Sequence, residues 1–118
     1  MEFNLWKENL AAAKVFWTGP EAPTAVAAWN DPIAIELIDV LERIGLRVPG
    51  DVSVIGYDNS PLALNRSVPL STIDGDITAQ VEAALGLLLA RSPAAARTRI
   101  LVPPRLIQRA STSRWKSN

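Results

Sequence analysis

Two pairs of polar side chains follow two short apolar segments of the chain. Asn30-Asp31 ends the first of these segments and Asp58-Asn59 ends the second. Carboxylate and carboxamide groups present fixed hydrogen-bond donors and acceptors, which suit hydroxyl-rich ligands such as sugars or nucleosides. In an open parallel sheet, ligands bind outside the carboxyl ends of the strands. If both segments are parallel strands, the two pairs predict a small-molecule site.

Each of these residues also has a purely structural interpretation. Asp31 can serve as a helix N-cap, and Asp58-Asn59 can form a turn through local hydrogen bonds. Trp29 and Tyr57 precede the two pairs. Either ring could stack on the apolar face of a sugar or pack against neighbouring side chains. Both interpretations stay open at this point.

The composition removes most catalytic chemistry. The 118 residues contain no histidine and no cysteine, so the commonest general base, the thiol nucleophile and two common metal ligands are missing. Asp58, Asp74 and Asp76 could suggest a carboxylate cluster, but no compact calcium-loop spacing is present and Asp76 can cap a helix. We therefore predict neither an enzyme nor a cofactor or metal site.

Charge and hydropathy argue against two further classes. Twelve basic residues balance twelve acidic ones, which is not typical of a domain that binds nucleic acid. Arg105, Arg109, Arg114 and Lys116 are spread over the end of the chain and are expected to be solvated. No apolar run reaches the roughly 18 residues of a membrane span, and the start lacks a signal-peptide pattern. A cytoplasmic protein is the expectation.

The elements that must position the polar pairs are predicted from hydrophobic periodicity. Helical spacing of apolar residues predicts one helix over 4–17. Segment 24–29 is apolar throughout, which predicts a strand covered on both faces. A helix from an N-cap at Asp31 to Gly45 then leads to a second buried strand at 52–57. Strand, helix and strand in this order form a parallel βαβ unit, so the predicted fold class is α/β.

The second half of the sequence has a looser pattern. A short helical turn at 60–65 and an extended piece at 69–73 are predicted. Asp76 can then cap a helix with an apolar face, and extended segments follow at 99–102 and 106–108. The predicted apolar face of that helix consists of Ile77, Val81, Ala84, Leu85, Leu88 and Leu89.

Four motifs of the chain resemble those of the LacI/GalR family of bacterial transcription regulators. PTAVAAWND at 23–31 resembles a strand-to-helix segment of that family, and GLRVPGDVSVIGYDN at 45–59 resembles its G-x-x-V-P-x-D-[IV]-S-V-x-G-[FY]-D-[DN] signature. PLSTI at 69–73 resembles its crossover, and QRAST at 108–112 resembles its closing R-E-S-T. The motifs follow the family order and cover roughly residues 5–112.

The resemblance implies a periplasmic-binding-protein-like (Rossmann-like) α/β fold, in which two lobes with parallel βαβ cores flank a cleft. Here that fold is expected to be truncated, with 1–118 a C-terminal fragment of the effector-binding and dimerisation domain. Residues 1–3 could be a remnant of cloning, and the polar residues 113–118 are expected to form a flexible tail. Operator DNA would be a partner only through a separate, missing N-terminal domain.

The resemblance also implies roles for individual residues. Asn30 and Asp58 match positions that hydrogen-bond a sugar- or nucleobase-like effector, and Asp31 is expected at the same rim. Members of the family act as homodimers, although packing within one subunit is an open alternative for each interface residue. The candidate interface residues are Ile35, Ile38 and Leu62.

One departure from the family pattern affects the expected cleft. Gly75 stands where the family often has glutamine, so one polar contact is expected to be lost. Three functions remain: an effector-sensing segment of a regulator, an oligomerising fragment without a working ligand site, or a piece of a periplasmic sugar-binding protein. A helix-turn-helix upstream would indicate the first, and a signal peptide would indicate the third.

Overall fold

The computed structural model describes residues 4–90, 94 and 97–114, and its centre is a four-stranded sheet. The strands are β1 (Ala25–Ala27), β2 (Ser53–Tyr57), β3 (Ser71–Asp74) and β4 (Arg105–Ile107). They lie side by side in chain order, with β1, β2 and β3 parallel and β4 antiparallel to β3. The α/β prediction is confirmed. The supposed remnant at 1–3 and the tail residues 115–118 lie outside the described residues.

Four helices accompany the sheet in the described part of the chain. They are α1 (Asn4–Glu8), α2 (Leu10–Trp17), α3 (Asp31–Arg43) and α4 (Ile77–Leu89), with a 3-10 turn at Pro61–Ala63. None of the helices described is long and apolar enough to cross a membrane. The predicted βαβ unit consists of β1, α3 and β2, and the two strands are parallel neighbours.

Helix α3 packs on one face of the sheet and supplies the largest share of the core. Its cap is Asn30, whose Oδ1 accepts a hydrogen bond from the Ile33 N–H at 2.9 Å. The prediction that Asp31 is the N-cap was therefore one residue too late. Gly45 ends the helix at a positive φ of 92°, a conformation that glycine adopts without steric cost. The core residues of α3 are Ala34, Leu37, Ile38, Val40 and Leu41.

The first helix of the sequence is broken where one continuous helix was predicted. Asn9 separates α1 from α2, and its Oδ1 accepts from the Ala12 N–H at 3.0 Å. A side chain that caps a new helix competes with continuation of the old one. The apolar spacing itself is confirmed, because Ala13 and Trp17 are buried in the core that contains α3.

Strand β1 is not covered on both faces, contrary to the prediction. Ala25 and Ala27 are exposed. In β2 the alternation is clear, since Val54 is fully buried on the α3 side while Ile55 and Tyr57 stay partly exposed. An all-apolar strand predicts two covering layers, but the described residues place a helix layer against one face of the sheet.

Helix α4 begins where it was predicted, with the Asp76 side chain accepting from the Ala79 N–H at 3.1 Å. None of its residues is buried. The predicted strand at 99–102 does not form, because Ile100 and Leu101 lie beside α4 and not beside a sheet edge that could pair with them. The extended piece predicted at 106–108 forms as β4.

Ser111 and Ser113 bind the end of the described chain to the rest of the fold, and the flexible tail over 113–118 stays a prediction. Ser111 is fully buried, where its Oγ donates to the Val54 carbonyl at 2.6 Å and accepts from the Ser71 N–H at 2.8 Å. Ser113 donates from its Oγ to the Pro49 carbonyl at 3.3 Å. A short hydroxyl side chain can complete the backbone hydrogen bonding between two strands, which composition alone does not reveal.

Candidate functional site

The predicted polar and aromatic residues meet at one edge of the sheet, where the parallel strands end. A pocket of ≈ 710 Å³ lies between the ends of β1 and β2. Its lining consists of Ala27, Ala28, Trp29, Tyr57 and Asp58. The Trp29 side chain is 85% exposed, and Tyr57 is 39% exposed. Two rings and one carboxylate around an open depression form a surface on which a flat polar ligand can lie.

Asp58 presents an acceptor to this pocket from an unusual backbone position. Its φ is 97° and that of Asn59 is 50°, so two consecutive non-glycine residues lie in the positive-φ region. Such conformations persist where surrounding structure holds them, and here the Asp58 N–H donates to the Ile73 carbonyl at 2.9 Å. The Asp58 carboxylate is exposed and has no hydrogen bond or ion pair with other described residues.

The Asn30 side chain caps a helix and also leaves hydrogen-bond donors that a ligand could use. Its Oδ1 caps α3 through the Ile33 N–H. The side chain is half-buried, and its Nδ2 makes no hydrogen bond within the part of the chain that the structure describes. Capping therefore fixes the carboxamide while leaving two N–H donors for a second task.

Asp31 lies inside the protein and not at the rim where it was expected. The residue is fully buried. Its Oδ1 accepts from the Thr72 hydroxyl at 2.5 Å, and its Oδ2 accepts from the Ser60 N–H at 2.7 Å. Gly56 leaves the necessary space, because a Cβ there would stand 2.3 Å from Asp31 Oδ1. Asp31 therefore joins the ends of three strands and has no free oxygen edge for a ligand.

A polar network that the sequence did not indicate supports the turn after β2. Asn59 Nδ2 donates to Asp74 Oδ2 at 3.3 Å, and the Arg109 guanidinium donates to Asn59 Oδ1 at 2.6 Å. Asp74 also accepts from the Asp76 N–H at 2.8 Å and from Arg105 at 3.3 Å. The Asp76 backbone N–H, followed by the Asn59 and Arg105 side chains, lowers the pKa of Asp74 below its ordinary value.

Arg109 was predicted to be solvated and is in fact half-buried. Besides Asn59, its guanidinium donates to the Leu70 carbonyl at 2.8 Å. The backbone N–H of Arg109 donates to Ser71 Oγ at 2.9 Å. Arg105 and Arg109 are four residues apart, and strand periodicity places such residues on the same side. That spacing groups the two arginines, but it does not identify Asn59, Leu70 or Ser71 as the partners of Arg109.

The turn after β3 brings Gly75 against the aromatic part of the site. A Cβ at Gly75 would stand 3.3 Å from the Tyr57 hydroxyl oxygen. Gln80 Nε2 donates to the Gly75 carbonyl at 2.6 Å, so a carboxamide from α4 lies beside the position where a glutamine was expected. The absence of a side chain at residue 75 leaves room for the Tyr57 ring.

The three candidate interface residues have different surroundings. Ile38 is completely buried in the core of its own subunit, so its proposed place at an interface is wrong. Ile35 is partly buried against the same core, and Leu62 on the 3-10 turn is 54% exposed. Within the described residues, no group of three or more acidic side chains is arranged to hold a metal ion.

The sequence is similar to a known domain family and to bacterial transcriptional repressors. The periplasmic binding protein-like domain matches residues 2–112. The HTH-type transcriptional repressor PurR of Photobacterium profundum is 48% identical over 62 residues, which are 52% of this chain and 19% of that protein.

Solved structures extend the similarity to nearly the whole chain. A LacI transcriptional regulator from a Rhodococcus species has a TM-score of 0.72 and 35% identity, over 93% of this chain and 40% of that one. A LacI family regulator from Arthrobacter sp. FB24, in complex with lactose, has a TM-score of 0.73 and 34% identity, over 88% and 41%. The matched region is thus about two fifths of each of these regulators.

Proposed function

This chain belongs to the periplasmic binding protein-like domain family of LacI-type transcriptional regulators, and on that premise we propose that it is the effector-sensing and dimerisation segment of such a regulator. The effector is a small sugar-like molecule that binds at the edge formed by Trp29, Asn30 and Asp58. A separate N-terminal domain of the regulator contacts operator DNA. The protein acts in the cytoplasm and catalyses no reaction.

The observation that carries this proposal is the Asp58 carboxylate, which has no partner among the described residues, beside an exposed Trp29. Sugars combine hydroxyl groups, which a carboxylate binds through charge-assisted hydrogen bonds, with an apolar ring face that stacks on an aromatic side chain. The Asn30 N–H donors lie at the end of the neighbouring strand. An acceptor, a donor and a ring platform at one edge of the sheet match that chemistry better than they match an anion or a metal.

The pocket supplies one wall of a cleft in this proposal. It is open to one side, and the chain covers about 40% of the Rhodococcus regulator. We assign the second wall to parts of the regulator outside these 118 residues. Affinity falls when half of the contacts are missing, so the isolated chain is expected to bind its effector weakly.

The test is a titration of the isotopically labelled chain with lactose, glucose and free nucleobases, followed by amide NMR shifts. A sugar is expected to shift the signals of Trp29, Tyr57 and Asp58. Asp58→Asn replaces the charged acceptor with a neutral carboxamide and is expected to weaken binding by about tenfold or more. Glu21→Gln, at an exposed acidic residue, is the matched control and keeps the wild-type affinity. Sugar-induced shifts that map elsewhere, or unaltered binding by Asp58→Asn, contradict the proposed site.

A second function, assembly of copies of the chain, is favoured by the exposed apolar face of α4. The side chains of Ile77, Leu88 and Leu89 are 69%, 74% and 76% exposed. Surfaces of this kind mark interaction sites in soluble proteins. Leu62 and the partly exposed Ile35 remain the proposed contacts of a dimer.

Light scattering after size-exclusion chromatography, over a range of concentrations, tests assembly. We expect a dimer or larger species, and Leu88→Gln is expected to shift the equilibrium toward the monomer. Gln is more soluble and keeps the helix propensity, so a folded variant is expected. A stable monomer of the unaltered chain at all concentrations would exclude this second function.

A further inference from the structure

The carboxamide of Asn59 stands between a cation and an anion and uses both of its ends. Its Oδ1 accepts from the Arg109 guanidinium at 2.6 Å, while its Nδ2 donates to Asp74 Oδ2 at 3.3 Å. A carboxamide carries an acceptor and a donor, which an aspartate does not. An aspartate at this position would keep the bond to Arg109 but would direct a second carboxylate at Asp74.

The same residue also anchors its own backbone. The Asn59 N–H donates to Thr72 Oγ1 at 3.3 Å. Asp74 and Thr72 belong to β3, while Arg109 follows β4, so three contacts of one residue reach both strands that flank the α4 segment. These contacts hold the Asp58-Asn59 turn in its two consecutive positive-φ conformations.

We propose that Asn59 is a positioning residue, whose carboxamide sets the direction of the Asp58 carboxylate by tying the turn to Asp74 and Arg109. The part of this inference that concerns ligand binding rests on the proposed function of Asp58. This coupling is reciprocal. A ligand that binds Asp58 is expected to stabilise the hydrogen bonds that join the turn to the ends of β3 and β4. Asn59 itself needs no contact with the ligand.

The experiment exchanges the two partners of one hydrogen bond. Asn59→Asp places two carboxylates face to face. The double variant Asn59→Asp with Asp74→Asn restores one carboxylate and one carboxamide, now on opposite sides, without a change in total charge relative to wild type. Asn65→Asp, at an exposed asparagine outside the network, is the control for the added charge.

Amide hydrogen exchange of Asp58 and Asn59 is the first measurement, and it needs no ligand. Exchange is expected to become about tenfold faster in Asn59→Asp, as for the loss of one partly buried hydrogen bond, and to return to within about threefold of wild type in the double variant. Asn65→Asp is expected to exchange as wild type. A wild-type rate in Asn59→Asp, or a double variant no slower than the single one, overturns the proposal.

Asn59→Ser serves if Asn59→Asp does not fold, because serine removes the carboxamide without adding charge. A folded Asn59→Ser variant with wild-type exchange at Asp58 also overturns the proposal, and faster exchange supports it.

Lactose titration of the same variants is the second measurement. Weaker binding by Asn59→Asp and recovery in the double variant support positioning of Asp58, whereas equal affinities in all variants overturn it. If the unaltered chain binds no saccharide, the proposed effector is wrong, and the exchange rates alone decide the role of Asn59.

Discussion

Helices α3 and α4 have the same length of 13 residues and opposite surroundings. α3 buries most of one face in the core, and α4 buries none of its residues. Yet α4 is the more apolar sequence, with Glu82 as its one charged residue. The extent of apolar character and the extent of burial are therefore not the same property in this chain.

The two helices differ in how their polar residues are placed, and this difference affects what the sequence predicts about burial. In α3, Glu36, Asp39, Glu42 and Arg43 mark the side that faces away from the core, so the opposite side finds its partner within the chain. A helix that is apolar on most sides is typically surrounded, and the described residues cover α4 only where it meets the segment at 100–102. Apolar content alone therefore does not predict burial in this chain, whereas the polar residues of α3 identify its solvent-facing side.

Truncation of one leucine in each helix tests this comparison with the largest expected effect. Leu37 is fully buried in α3, and Leu88 is 74% exposed in α4. Leu37→Ala is expected to lower the free energy of unfolding by about 2–5 kcal/mol, and Leu88→Ala by less than about 0.5 kcal/mol. Urea unfolding measures both. Equal losses would mean that α4 is covered in solution, which would support assembly of the chain.

Glycine-to-alanine substitutions are expected to have opposite signs in the two regions. At Gly56 a Cβ would stand 2.3 Å from Asp31 Oδ1 and 2.9 Å from a Leu70 methyl carbon, so Gly56→Ala is expected to cost about 1–3 kcal/mol. At Gly86, within α4, a Cβ would meet nothing within 4 Å. Gly86→Ala is expected to add about 0.5–1 kcal/mol through helix propensity. Thermal unfolding of both variants gives the signs, and a stabilised Gly56→Ala would refute the close packing of Asp31.

The smallest expected effect concerns an exposed ion pair next to β2. Hydrogen bonds from Arg47 lower the pKa of Asp51 from 3.8 to about 2. Because the folded state then binds fewer protons than the unfolded state, the stabilisation is present above about pH 4 and is lost as the pH falls toward 2. The unfolding free energies of wild type and Asp51→Asn are expected to differ above that window and to converge below it. A constant difference from pH 2 to 5 would contradict this assignment.

Much of the fold was accessible from the sequence because local signals agreed with one another. The pairing of β1 with β2 through α3 followed from an apolar run, a capped amphipathic helix and a second apolar run. The break at Asn9 and the cap at Asn30 were missed, since several polar residues near a helix start compete for the same role. In each case the geometry of one side chain decided the helix boundary.

The positions of the candidate residues in the fold were predictable, and their surroundings were less so. Asp58 and Trp29 lie at the strand ends as expected, because parallel strands bring their carboxyl ends to one edge. Asp31 was assigned to the rim, but its burial depends on the absence of a side chain at Gly56, which lies 25 positions away in the sequence. The Arg109 contacts join residues separated by 39 and 50 positions. No local pattern encodes partners at such distances.

The antiparallel pairing of β3 with β4 has a consequence for the modularity of the chain. Asp74 stands opposite Arg105 in the register, and the two side chains form an ion pair at 3.3 Å. The described residues between these two strands, 75–90, 94 and 97–104, therefore lie outside the sheet, in the manner of an insertion within a hairpin. Such an excursion can change in length and sequence, or be replaced by a two-residue turn, without altering the order of the strands.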